Sequence, residues 1–416
     1  MKRESSENEG SGIRIVNGYI DLASLLHRLP SDLHAEVSDE YIVLTKTSDA
    51  NRVKGRSEMK IRRHIDAAKF ALALGLYRAE GQKKPERIRF VNTDPMLHRW
   101  FAEALREMGV RKFKAYAQYC FCQKCGLRKL EDAIKRFEEA TGVKVINVYR
   151  NEAAHNPTFY LDVNNRALAI LLITAEKALR KEIAYGKVPR TVARKYIRGM
   201  LEGDGSLNLR IDDGKVRGMY LETFESDADA VRDLLTIIKK LVGVNLVAYK
   251  NDDQRASINL HDLLEMLTED LIPTRYIDKV KERILIAFQH KGTPWILMRL
   301  ADAFDNRWFS STETSQVIHR ARHHALEKLK ALEKRGYLIS RKVKDFSRAK
   351  PKGTPVRRLF RVTRKARKLT KLLKSLLPLL HLFLFLPFLF IVAFSAIKLL
   401  LFNRLISLHP FITSVW

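Results

Sequence analysis

The sequence predicts an α+β chain that contains an internal duplication, followed by a basic helical module and an apolar C-terminal tail. Three observations point there. From about residue 61 to 290, amphipathic helical patterns alternate with short β-rich runs. The same succession of elements occurs twice within that span. Near Lys291-Gly292-Thr293-Pro294 the composition changes, first to helical stretches and then to a very basic segment reaching about Lys374.

Composition narrows the function. A chain of 416 residues holds roughly two to four domains. Lys and Arg number 76 against 47 Asp and Glu, a net charge of +29, which suits a polyanionic partner, nucleic acid ahead of a membrane surface. A hydrophobic share of 46% excludes a wholly disordered basic tail protein. The 3 cysteines exclude a disulfide scaffold and suit a reducing, cytoplasmic compartment. The start, MKRESSENEGSG, has no apolar run and is not a secretory signal.

Residues 1–60 form an N-terminal extension without an assignable role. A polar lead-in is followed by a helical pattern (DLASLLHRL) and a strand-like YIVLT. The first repeat, 61–187, reads FALALGLYRAEG, then RIRFVNTDPMLHRWFAEALREMGV, and later GVKVINVYR. The second, 188–290, reads KYIRGMLEGDGSL, then GMYLETFESDADAVRDLLTIIKKLVGV, and NLVAYK. Both run helix, acid-Gly turn, strand, amphipathic helix, Gly, strand. Thr93 and Ser226 sit where a side-chain oxygen could cap the second helix.

Each repeat opens with a helix ending in an acid and a glycine, Glu80-Gly81 and Asp204-Gly205. Glycine after a helix end is expected to adopt a left-handed cap. A carboxylate at the carbonyl end of a helix is unfavourable, and a divalent cation is the obvious candidate to compensate it. Gly75 with Ala79, and Gly199 with Gly203, place small residues four apart on one face of each helix. Packed through those faces, the helices would bring Glu80 and Asp204 together at one end. Two carboxylates a few Å apart repel unless a metal bridges them, and hard Mg²⁺ suits oxygen ligands and phosphodiester hydrolysis. Either acid alone reads most simply as a surface helix end; the matched pair reads as a metal site.

LGLYRAEG and IRGMLEGDG resemble the two motifs of the single-chain LAGLIDADG homing endonucleases. The resemblance implies a pseudo-twofold αββαββα monomer whose motif helices form the interface and whose two β-saddles enter the major groove of double-stranded DNA. It implies that Glu80 and Asp204 bind a divalent metal at the scissile phosphates, leaving a double-strand break with short 3′ overhangs. Asp204 matches the motif, and Glu80 is one methylene longer. The acid two places earlier is Glu202 in the second motif but Arg78 in the first. Lys250 and Arg150 end the equivalent runs NLVAYK and VINVYR, and either could stabilise the pentacovalent phosphate or hold a water. A solvated strand-end cation is the plainer reading of both. Gln82, just past the first acid-Gly, could contact backbone or base.

Residues 291–370 resemble a winged helix-turn-helix module. PWILMRLADAFD is an amphipathic helix, and SSTETSQVIHRARHHALEKLKALEKRGYL predicts a capped start and one long helix ending at Gly336. A hairpin with the basic loop SRAKPKGTPVRR follows. Arg320, Arg322, His323 and Lys328 would face DNA, while Lys350, Lys352, Arg357 and Arg358 would line the wing. A solvated basic helix pair and a protein-binding winged helix are the alternatives. The His323-His324 pair reads as surface.

Cys120, Cys122 and Cys125 contain a Cys-x-x-Cys zinc half-site, but zinc would need His155 or another distant ligand, and free thiols on a strand are the simpler reading. No Gly-rich phosphate loop is present, so no ATP use is expected. Residues 375–402 are apolar enough for a bilayer span, read either as a C-terminal membrane anchor or as a non-native tail. The absence of a terminal His-Asn pair argues against an intein and for a free-standing protein, and the single-chain resemblance implies a monomer. The leading expectation is a Mg²⁺-dependent, site-specific DNA endonuclease. A catalytically silent DNA-binding regulator and an RNA maturase on the same scaffold are the alternatives.

Overall fold

The computed structural model describes residues 12–46, 58–82, 84–122, 125–212, 215–223, 236–239, 241, 247–249, 252–344 and 356–375. The chain divides into two compact units, 1–277 and 278–416. Both mix helices with small sheets, an α+β architecture. The composition change near residue 291 therefore lies inside the second unit.

The described residues of the N-terminal extension are folded. Strands β1 (Arg14–Val16), β2 (Tyr19–Asp21), β3 (Leu33–Val37), β4 (Tyr41–Lys46), β5 (Glu58–Arg62) and β6 (His64–Asp66) make two antiparallel three-stranded sheets, ordered β1-β2-β6 and β3-β4-β5. DLASLLHRL forms a 3₁₀ helix over Leu22–Arg28. Asp21 accepts hydrogen bonds from Arg63 Nε at 2.9 Å and Nη2 at 3.0 Å, joining β2 to the turn before β6. Those guanidinium bonds hold the Asp21 carboxyl below its ordinary range.

Next come α1 (Ala67–Glu80), β7 (Ile88–Asn92), α2 (Pro95–Glu107), β8 (Lys114–Tyr119), α3 (Leu127–Thr141), β9 (Val145–Arg150), β10 (Thr158–Val163) and α4 (Arg166–Ala184). Helix α1 is apolar nearly all round, as suits a helix packed among α2, α4 and α5 (Arg190–Gly203). The cap of α2 is Asp94, whose side chain accepts from Met96 N at 2.8 Å, and not the neighbouring Thr93. Pro95 takes the first helical position, so the cap falls on the residue before it. Ser226 lies outside the described residues.

After α5 the unit continues through β11 (Gly205–Asp212), β12 (Lys215–Thr223), β13 (Val247–Tyr249), β14 (Asp252–Ser257), α6 (Leu260–Thr268) and a 3₁₀ turn, Thr274–Tyr276. Two four-stranded sheets result, ordered β7-β10-β8-β9 and β11-β12-β14-β13. The place that β11 fills beside β12 is held in the first sheet by a single bridge, Gly81 to Phe90 of β7. The place of β13 is taken by β8, because β8 pairs with β10 as β13 pairs with β14. Strand β9 is an added edge, parallel to β8 and reached through α3, the helical crossover a parallel pair requires. Strand β9, which is VINVYR, and strand β13, the described part of NLVAYK, therefore do not occupy equivalent positions. Strands β8 and β9 are both six-residue β-rich runs, so composition alone does not tell which of them matches β13.

The second unit holds most of α7 (Ile277–Gln289), then α8 (Thr293–Phe304), β15 (Phe309–Ser310), α9 (Ser311–Val317), α10 (Arg322–Lys334), β16 (Leu338–Lys344), β17 (Val356–Val362) and α11 over 364–375. Its sheet is antiparallel, ordered β15-β17-β16. The single long helix expected from residue 311 onward is two helices. They break at Ile318–Ala321, where His319 has φ +50°. Ser310 and Glu313 form a reciprocal capping box that fixes the start of α9. Phe304, Phe309, Leu329, Tyr337 and Phe360 fill the core between helices and sheet. The apolar tail lies outside the described residues from 376 on. Among the described residues no helix is long and apolar enough to cross a membrane.

Candidate active site and nucleic-acid interface

Helices α1 and α5 touch backbone to backbone. A Cβ on Gly75 would overlap the Tyr196 carbonyl oxygen and lie 3.0 Å from Met200 N. A Cβ on Gly199 would overlap the Leu72 carbonyl oxygen and lie 2.8 Å from Leu76 N. At the next turn, a Cβ on Gly203 would overlap the Ala79 methyl and stand 2.9 Å from Glu80 Cγ. The small residues Gly75, Ala79, Gly199 and Gly203 thus form one seam, and the acid-bearing helix ends fall together at its end. Glu80 is the last residue of α1, and Asp204 caps α5 with φ −88° and ψ −13°. Both acids are half-buried.

The glycines after these acids are needed for a different reason than expected. Gly81 is extended, at φ −84° and ψ 141°, not left-handed. A Cβ there would come 2.5 Å from Tyr77 Cε2, and a Cβ on Gly205 would come 2.6 Å from the Leu201 carbonyl oxygen. Crowding against the preceding helical turn excludes a side chain at both positions.

Asn92, at the end of β7, positions Glu80. Its Nδ2 donates to Glu80 Oε1 at 2.6 Å, and its Oδ1 accepts from Asp94 N at 2.8 Å. The Asn92 carbonyl receives His98 Nε2 at 3.1 Å. A carbonyl only accepts, so that nitrogen carries the hydrogen and Nδ1 does not. His98 is fully buried between Phe90, Phe137 and Phe159, and burial pushes its pKa down to about 4. Gln82 turns back to the sheet. Its N–H donates to the Arg89 carbonyl at 2.8 Å, and its own carbonyl accepts from Tyr77 Oη at 2.8 Å.

The α5 end is organised by Arg198, one turn back on the same helix, and by two residues 70 or more positions away. Glu202, buried in the motif position two before Asp204, accepts from Arg198 Nη2 at 2.7 Å and from Thr274 N at 3.0 Å and Oγ1 at 2.7 Å. It ties α5 to the 3₁₀ turn. Arg275 from that turn donates to the carbonyls of Glu202, Gly203 (3.0 Å) and Gly205. A guanidinium therefore compensates the negative end of α5, a task the sequence argument gave to a metal. Neither Asn92 nor Arg275 carries a local signal that would have singled it out. The donor set of Glu80 and Asp204 still suits a hard divalent cation: both are carboxylates, and Asn92 fixes one oxygen of Glu80.

The first sheet turns a polar face outward. Arg87, Arg89, Tyr116, Gln118, Tyr149 and Tyr160 line a shallow recess of about 180 Å³. Arg89 grips the buried Asp162 with bonds of 2.8 and 2.6 Å and lies over the Tyr160 ring at 5.3 Å. Tyr160 Oη donates to Gln118 Oε1 at 2.7 Å. Arg150, at the end of edge strand β9, is exposed and 3.3 Å from Glu152. Lys250 lies outside the described residues.

In the second unit, Arg320 sits in the break before α10, Arg322 opens that helix, and His323 and Lys328 follow on it, all exposed. Arg358 grips Glu333 of α10 with Nη2 bonds of 2.9 and 2.8 Å and donates from Nε to Ser340 Oγ at 2.9 Å. It joins the hairpin to the helix. Arg357 is 3.7 Å from Glu313. Lys350 and Lys352 lie outside the described residues. The Trp308 ring has Arg341 at 4.4 Å and Arg361 at 4.9 Å from its centroid, a pair of cation–π contacts that sequence reasoning missed.

No family model matches the chain, and no curated protein matches it. Among solved structures the chain is similar to the crystal structure of the N-terminal LAGLIDADG domain of DUF199/WhiA. Identity is 11% and the TM-score 0.29, with 50% of this chain and 85% of that chain covered, a likeness too weak to carry an argument about fold or function.

Proposed function

We propose that the chain is a site-specific double-strand DNA endonuclease built on a duplicated LAGLIDADG-like core, with a winged-helix module for additional DNA affinity. The observation that carries the reading is the glycine seam between α1 and α5, which brings the acid-ending helix termini of Glu80 and Asp204 together. Mg²⁺ held by these carboxylates would supply a nucleophilic water and stabilise the leaving oxygen. The protein's part is positional. Asn92 keeps Glu80 aimed, Arg275 and Glu202 fix the end of α5, and the outward face of the first sheet offers Arg89, Gln118 and tyrosines to phosphates and base edges. Helices α8 to α10 and the β16-β17 hairpin follow the winged-helix succession, with Arg322 and Lys328 exposed on α10.

A specific observation also favours DNA binding without cleavage. Arg275 already neutralises the α5 end, so Asp204 is tolerated there without a metal. The test is to mix the chain with a randomised duplex library with and without Mg²⁺. Mg²⁺-dependent cuts at a recurring sequence support the endonuclease. Salt-sensitive retention of particular duplexes with no cuts in Mg²⁺ or Mn²⁺ supports the regulator, and preference for RNA over duplex DNA overturns both.

A further inference from the structure

The folded chain brings its three cysteines together with one distant histidine. Cys120, Cys122, Cys125 and His155 each offer one donor atom, and these atoms lie within 4.8 Å of one another. Cys122 Sγ is 3.1 Å from Cys125 Sγ, and Cys125 Sγ is 3.5 Å from His155 Nδ1. We propose that this cluster is a structural zinc site, independent of what the chain does to DNA.

Three thiolates and one imidazole form a standard closed tetrahedral zinc set, with no position left for substrate. Zn–S bonds near 2.3 Å put tetrahedral sulfurs about 3.8 Å apart, so the Cys122–Cys125 separation need open by only several tenths of an ångström. The ligands are already held by backbone. Cys125 N–H donates to the Cys122 carbonyl at 3.0 Å, and Cys120 N–H donates to the Ala154 carbonyl at 2.8 Å. Tyr119 Oη donates to the Cys125 carbonyl at 2.6 Å and the Gly126 carbonyl at 3.0 Å. Lys129 Nζ donates to the His155 carbonyl at 3.1 Å and places a cation beside a set that would carry net negative charge.

Position in the topology gives the metal a purpose. Cys120 directly follows β8, and His155 lies just before β10, the strand paired with β8. Between them runs the excursion through α3 and β9, which has no counterpart among the described strands of the second sheet. A metal there closes the base of that insertion and fixes β9, with Tyr149, against the sheet. Closing a long loop is where a cross-link removes the most chain entropy. Zinc binding displaces the three thiol protons to solvent, which makes retention weaker at acid pH.

The test is metal analysis of the full chain purified under reducing conditions, with Co²⁺ substitution as an independent readout. The expected result is about one zinc per chain, released by chelator with a fall in Tm, and a Co²⁺ form with intense thiolate charge-transfer bands. Cys122→Ser and Cys125→Ser should lose the metal, while His155→Cys should keep it. A zinc-free protein whose thiols react equally with and without chelator, a Cys122–Cys125 disulfide in its place, or zinc that survives all the cysteine substitutions would each overturn the proposal.

Discussion

The Asn92 amide donates to the Glu80 carboxylate at 2.6 Å, and the same residue's carbonyl receives the buried His98 ring at 3.1 Å. The acid at the end of α1 is thus aimed by a strand end that is itself anchored to the core of α2. Removing that aim should weaken metal binding without unfolding the site. Asn92→Ala should raise the Mg²⁺ concentration that half-saturates cleavage by roughly 10–100-fold, the usual effect of losing a partner of a metal ligand. Titration of cleavage rate against Mg²⁺ checks this, and an unchanged midpoint would remove Asn92 from the site.

The helix seam predicts a stability effect. Gly75→Ala or Gly199→Ala drives a methyl into the opposing backbone and should cost about 3 kcal/mol or more in denaturant unfolding. The double variant should cost much less than the sum, because one methyl already separates the helices.

His98 predicts an acid-sensitive core. Its folded pKa, about 4, lies below its ordinary 6.5, so the folded state resists a proton that the unfolded chain accepts. Stability from the neutral ring is intact above pH 6.5 and is lost as pH falls toward 4, by about 3 kcal/mol in all. Measured from pH 7 to 4.5, the Tm of the wild type should fall more steeply than that of His98→Gln.

In the second unit two cations should behave differently. Lys328→Ala, exposed on α10, should lower the salt dependence of DNA affinity by about one unit of log–log slope while leaving Tm unchanged. Arg358→Ala breaks the Glu333 pair that joins hairpin to helix and should lower Tm instead.

What was legible in the sequence is periodic and local. Glycines four apart from small residues, repeated in both motifs, located the α1–α5 seam, and the acids at its end followed. What was illegible depends on partners far along the chain. Arg275 caps carbonyls more than 70 positions upstream and has no pattern of its own. His155 reaches Cys125 only because β10 returns beside β8. The break after α9 contains neither glycine nor proline, so an unbroken helix was the natural expectation; His319 takes the positive φ instead. Strand β9 has the composition of a saddle strand, but which strand it pairs with is set by the α3 crossover.

The most direct measurement compares wild type, Glu80→Gln and Asp204→Asn on a duplex recovered from the randomised library, recording binding and cleavage in Mg²⁺ together. The account predicts that both variants bind within a few-fold of wild type and lose cleavage by a factor of about 100 or more. Cleavage that persists in both variants, or a wild type that binds the duplex and never cuts it, would contradict it.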